Sequence, residues 1–121
     1  SLLLNTIACN ASISACERAA EWRRALGLLG EMWSGRTEPD VVTFNTCISA
    51  CRKGGQLQRA RALLGEMRLR RVRPDVVSFN ATIDAGAEGG MLELLAEMRA
   101  AGVAPDAVTY NAAMTASGRA R

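Results

Sequence analysis

The chain has no histidine, and its four cysteines include no C-x-x-C pair. The usual zinc patterns are therefore missing, as is the imidazole that most acid–base sites rely on. No nucleophile stands at a recognisable spacing from a base, and the glycine pairs Gly54-Gly55 and Gly89-Gly90 read as turns rather than phosphate loops. These absences argue against an enzyme and against any metal or other cofactor. No apolar run approaches the eighteen or so residues of a membrane-spanning helix, so no membrane span is expected. The opening "SLLLNTIAC" lacks the basic start and length of a signal peptide. Because it opens on Ser rather than Met, a leader ahead of it stays open.

What is present is a soluble globular balance: 121 residues, 49% apolar and 22% charged, the length of one ordinary domain. Cys9, Cys16, Cys47 and Cys51 are expected to be reduced, structural thiols, which suits an intracellular compartment. Cys47 and Cys51 lie four apart and share a helix face. Net charge is only +3, but residues 52–73 carry Arg52, Lys53, Arg59, Arg61, Arg68, Arg70, Arg71 and Arg73 against the single acid Glu66. A basic middle of this kind is either an electrostatic footprint for a polyanion or a solvated helix face.

The chain also repeats itself. "PDVVTFN" at 39–45 returns as "PDVVSFN" at 74–80 and "PDAVTYN" at 105–111. Residues 6–40 and 41–75 align without a gap: Asn10 falls on Asn45, Ile13 on Ile48, Cys16 on Cys51, Ala25 on Ala60, and "LLGEM" at 28–32 on "LLGEM" at 63–67. Residues 76–106 form a third unit, 107–121 begin a fourth, and 1–5 read as the end of a preceding one. The chain starts and stops within a repeat, so either a longer array or a place in a larger assembly is expected.

Phe44, Cys47, Ile48 and Cys51 follow i, i+3, i+4, i+7 spacing and predict a first helix over roughly 42–53. Leu57, Ala60, Leu63, Leu64 and Met67 predict a second over roughly 57–69. Gly54-Gly55 should separate them by taking a positive φ, Pro74 should stop the second, and Asp75 or Ser78 should cap the next. Neither helix can bury its stripe alone, so the hairpins must stack. The expected fold is all-α, an α-solenoid of helix-turn-helix repeats. Unit three lacks the four residues that hold "QLQR" in unit two. Four residues are close to one turn, so its second helix should be a turn short yet still packed. Met32, Met67 and Met98 are assigned to the core, and Glu31, Glu66 and Glu97 to the surface as partners for arginines.

The 35-residue period, the paired helices, the junction "PDVVTFN" and the ending "LLGEM" together resemble the pentatricopeptide repeat, along essentially the whole chain. Tetratricopeptide repeats share the hairpin but have a 34-residue period and lack this junction. The resemblance implies a right-handed superhelix that binds single-stranded RNA, one base per repeat. By resemblance, base-reading pairs are Asn10 with Asp40, Asn45 with Asp75, and Asn80 with Asp106, while Asn111 opens a fourth pair. Asn5 sits where an upstream repeat would end. Ile7, Val42, Val77 and Val108 are implied to pack against the bases, and Arg18 and Lys53 to contact phosphate. Unit three has Glu88 at that position, which weakens the third site. Asn followed by Asp resembles a uracil reader, and the family's setting implies a mitochondrion or plastid.

A different class of function remains open on the same scaffold. The solenoid could serve as a structural subunit holding protein partners in a larger complex. Trp33, which aligns with Arg68 and Arg99, and the neighbouring Arg70 and Arg71 are the contacts that reading would use.

Overall fold

A computed structural model describes residues 2–35, 37–84, 91–111 and 114. Among these residues the helices run in order α1 (Leu2–Arg18), α2 (Trp22–Ser34), α3 (Val41–Lys53), α4 (Leu57–Leu69), α5 (Val76–Asp84) and α6 (Met91–Ala100). Residues 107–111 are again helical. The first helices α1, α3 and α5 pack on one another in succession, and each carries its own second helix. α2 and α4 also touch the first helix of the next hairpin. The apolar stripes explain the stacking: Ile13, Ala25, Leu29, Met32, Phe44, Cys47, Ile48, Cys51, Ala60, Met67, Phe79 and Met98 are all buried in one continuous core. Fully burying a Leu, Ile, Phe or Met side chain stabilises by about 1.5–3 kcal/mol.

The expected helix limits hold for unit two, and Met32, Met67 and Met98 are interior. The free thiols of Cys16, Cys47 and Cys51 are buried as packing groups. Burial pushes the Cys47 thiol up to about 12, so it stays protonated. α6 is ten residues long where α2 and α4 have thirteen, and it still buries Leu94 and Met98. The shortened helix of unit three is thus close to a turn short and packed. Gly89-Gly90 and Glu88 lie outside the described residues.

Two local expectations are corrected. The second helices are not stopped by proline: α4 ends at Leu69, well before Pro74. Its end is a Schellman motif, with Val72 N–H donating to Met67 O at 2.8 Å, Arg71 N–H to Arg68 O at 3.1 Å, and Arg71 at φ 60°. α6 closes identically around Gly102 at φ 74°. Of the glycine pair after α3, Gly55 alone takes a positive φ, 73°, while Gly54 stays at −86°. Gly54 is small for a different reason: a Cβ there would lie 2.2 Å from Trp22 Cδ1. Residues 2–5, read as the end of a preceding unit, are the first residues of α1. Leu4 stands where later units have Pro39 and Pro74, so nothing in the sequence breaks the helix there.

Candidate nucleic-acid interface

The junction between hairpins is built by reciprocal capping. Asp40 precedes α3 in extended backbone, φ −113° and ψ −174°, and its Oδ1 accepts from Thr43 N–H at 3.0 Å. The Thr43 hydroxyl in turn accepts from Asp40 N–H at 3.1 Å. Asp75 with Ser78, and Asp106 with Thr109, repeat both bonds at the same distances. Both caps foreseen from the sequence are therefore used at once, as a capping box.

The same carboxylate reaches back one hairpin. Asn10 Nδ2 donates to Asp40 Oδ1 at 3.2 Å, Asn45 Nδ2 to Asp75 Oδ1 at 3.1 Å, and Asn80 Nδ2 to Asp106 Oδ1 at 3.1 Å. Each pair named from the resemblance is thus in direct contact, across the seam between consecutive first helices. The Thr43, Ser78 and Thr109 hydroxyls donate to the carbonyl oxygens of Asn10, Asn45 and Asn80. Burial of Asp40 opposes its charge, but bonds led by the one from the Thr43 backbone N–H, with the Asn10 amide, outweigh that and hold its carboxyl below the usual range. The Thr109 N–H and the Asn80 amide do the same for Asp106.

Three residues before each Asn, on the same helix face, stands an exposed aliphatic side chain. Ile7, Val42, Val77 and Val108 are 56%, 53%, 54% and 58% exposed. Large apolar groups so evenly uncovered contrast with Phe44 and Phe79, buried two positions further along the chain. Each seam therefore offers a flat apolar wall, an amide and a carboxylate. Asn111 occupies the equivalent position on 107–111 and is exposed. The Asn5 side chain lies outside the described residues.

The two basic residues differ. Arg18 is exposed in the last turn of α1 and donates to Ser14 Oγ at 3.1 Å. Lys53 Nζ is 2.6 Å from Glu17 Oε1 on the preceding hairpin, where the Ser49 hydroxyl also donates at 2.9 Å. The Lys53 hydrogen bond, working against burial, keeps the Glu17 carboxyl below its ordinary range. Sequence reasoning missed this partner because Glu17 aligns with Arg52 and so does not recur. It also missed the hydroxyls bonded to the asparagines, although Thr43, Ser78 and Thr109 recur at one position of the junction. Trp33 is half-buried rather than displayed: its ring centroid is 6.0 Å from that of Phe44, and the Arg70 guanidinium lies 4.3 Å from it.

The pairings, the exposed wall and the hairpin stack can be set against known proteins. A PPR repeat family model matches residues 4–53 and 39–88, and a pentatricopeptide repeat domain model matches residues 81–120. Among solved structures, the pentatricopeptide repeat protein PPR10 from maize aligns at 28% identity and TM-score 0.78, over 88% of this chain and 16% of that one. PPR10 in complex with an 18-nt psaJ RNA element aligns at 31% identity and TM-score 0.80, over 95% of this chain and 18% of that one. The chain spans less than a fifth of the length of either solved chain. No curated protein matches it. With repeat models covering nearly its whole length, the chain belongs to the pentatricopeptide repeat family.

Proposed function

We propose that the chain binds single-stranded RNA, one base per seam, with a preference for uracil, within RNA processing, stability or translation in a mitochondrion or plastid. The observation that carries this reading is the threefold recurrence of one constellation: Asn10–Asp40, Asn45–Asp75 and Asn80–Asp106 hydrogen-bonded pairs, each beside an exposed aliphatic residue. The amide supplies a donor and an acceptor for a base edge, the carboxylate accepts a base N–H, and the β-branched side chain packs against the ring. The similarity to PPR10, solved in complex with RNA, supports the same ligand class. Unit three keeps its pair at 3.1 Å despite its shorter second helix, so its reading groups are as well placed as the others. Arg18 and the outward side of Lys53 are the proposed phosphate contacts.

Three bases bound at about 1–3 kcal/mol each yield at most a modest affinity, so short homopolymers are the right probes. Fluorescence anisotropy with labelled oligo-U and oligo-A should show tighter binding of oligo-U, weakening as salt rises through loss of counterion release. Equal or negligible binding of both would remove the proposal. For the scaffold alternative, Trp33 already packs against Phe44 and the Arg70 guanidinium, while Arg71 is exposed.

A further inference from the structure

We infer that the hydroxyls of Thr43, Ser78 and Thr109 are positioning residues for base selection, each fixing which way the preceding hairpin's Asn amide faces a base. The inference rests on the RNA reading above.

Each hydroxyl sits at the centre of a three-group contact. It accepts from the Asp backbone N–H at 3.1 Å and lies within reach of two acceptors, the Asn carbonyl and the Asp Oδ1, the latter at 2.9, 3.1 and 3.0 Å in the three seams. A hydroxyl has one proton to give. The carboxylate oxygen already accepts from an Asn N–H and a backbone N–H, so the proton is worth more on the Asn carbonyl. The amide is then gripped at both ends, carbonyl to hydroxyl and nitrogen to carboxylate. Turned over, its carbonyl would face the carboxylate, two acceptors together. One amide N–H is left for a ligand, in a fixed direction.

That fixed donor matters for the choice between pyrimidines. Uracil presents an acceptor at O4 where cytosine presents a donor at N4. A gripped amide meets the first and refuses the second. Without the hydroxyl, the terminal torsion of Asn is broad, and the amide can swing its carbonyl towards a donor. Half of the capping box survives that loss, because the Asp side chain still accepts from the backbone N–H of residue 43, 78 or 109 and only the reciprocal bond from the Asp N–H goes. The hydroxyl therefore has a role separable from ending the helix. Its recurrence in unit three, where the Asn–Asp separation is 26 residues rather than 30, shows the grip does not depend on the length of the second helix.

The test uses the full chain with Thr43→Val, Ser78→Ala and Thr109→Val together, beside the conservative set Thr43→Ser, Ser78→Thr and Thr109→Ser. Circular dichroism checks folding, and labelled U8 and C8 are titrated by anisotropy. Losing a hydrogen bond that discriminates should cut the U8:C8 affinity ratio by about threefold or more per engaged seam, while the conservative set keeps it. If the hydroxyl-free set loses U8 and C8 binding by the same factor, or keeps the wild-type ratio, the inference fails and the RNA reading stands. If wild type binds neither oligomer, both fail. Should the triple variant not fold, Ser78→Ala alone is read by NMR. The Asn45 side-chain amide pair should then shift and lose its U8-induced displacement; an unmoved pair overturns the inference.

Discussion

Replacing Gly54 by alanine should destabilise the chain, although the same change at Gly27 or Gly65 should stabilise it. All three glycines have φ values open to any residue, so conformational strain does not separate them. What differs is the neighbour. At Gly54 an added Cβ would meet Trp22 Cδ1 at 2.2 Å and Trp22 Cγ and Nε1 at 3.0 Å, whereas at Gly27 and Gly65 it meets nothing within 4 Å. Trp22 cannot simply step aside, because the Arg59 and Arg23 guanidiniums lie 4.8 and 5.1 Å from its ring. Overpacking costs about 1–3 kcal/mol, and each displaced cation–π contact adds about 0.5–1 kcal/mol. The net loss is about 2 kcal/mol, or on the order of 8 °C in melting temperature for a chain of this size. Gly27→Ala and Gly65→Ala, in exposed helix interiors, should each gain about 0.5–1 kcal/mol. Thermal unfolding by circular dichroism reads all three. A Gly54→Ala variant as stable as wild type would refute the view that Trp22 excludes a side chain there.

Ala20 and Arg71 hold the left-handed positions that Gly55 and Gly102 hold elsewhere, at φ 58° and 60°, so Ala20→Gly and Arg71→Gly should each raise stability by about 1 kcal/mol; an unchanged or lower melting temperature would contradict this. Asp75→Ala removes the cap of α5 and the partner of Asn45 together; it should cost about 1 kcal/mol by denaturation and weaken oligo-U binding by anisotropy. The folded carboxyls of Asp40 and Asp106 lie below the ordinary 3.8. Their contribution to stability is therefore full above that value and is lost as pH falls below it through the lower folded value. Melting temperature should drop most steeply there, and Asp40→Asn should flatten the drop.

The hairpin stack was legible because its causes are periodic. Phe44, Cys47, Ile48 and Cys51 recur at helical spacing, and a repeat displays each constraint more than once. The Asn–Asp pairs were legible only through family resemblance: nothing in their 30-residue separation says that two side chains will meet. Contacts made once stayed hidden. Glu17 pairs with Lys53 across a seam where the next unit has Arg52 in its place, so no recurrence marked it. Gly54 looked like a turn glycine, since sequence does not say which neighbour a missing Cβ makes room for. Helix ends were misassigned to proline because Pro is a visible breaker, whereas a Schellman closure at Arg71 leaves no sign in a residue that so rarely takes positive φ.

The third unit explains why the Asn–Asp–hydroxyl constellation and the helical scaffold can vary independently. Its second helix has ten residues against thirteen, yet Asn80 and Asp106 meet at the same 3.1 Å as Asn45 and Asp75. The seam uses only a first helix, the cap of the next first helix and the hydroxyl beyond it. The second helix enters through its end alone, and the closures around Arg71 and Gly102 are the same. A loss of close to one turn preserves the apolar face and shortens the path without changing how the chain leaves the helix. A loss of two residues would turn Leu94 and Met98 from the core, and the cap at Asp106 would lose its support. Length in the second helix is therefore free in whole turns, while the groups at the seam keep one geometry.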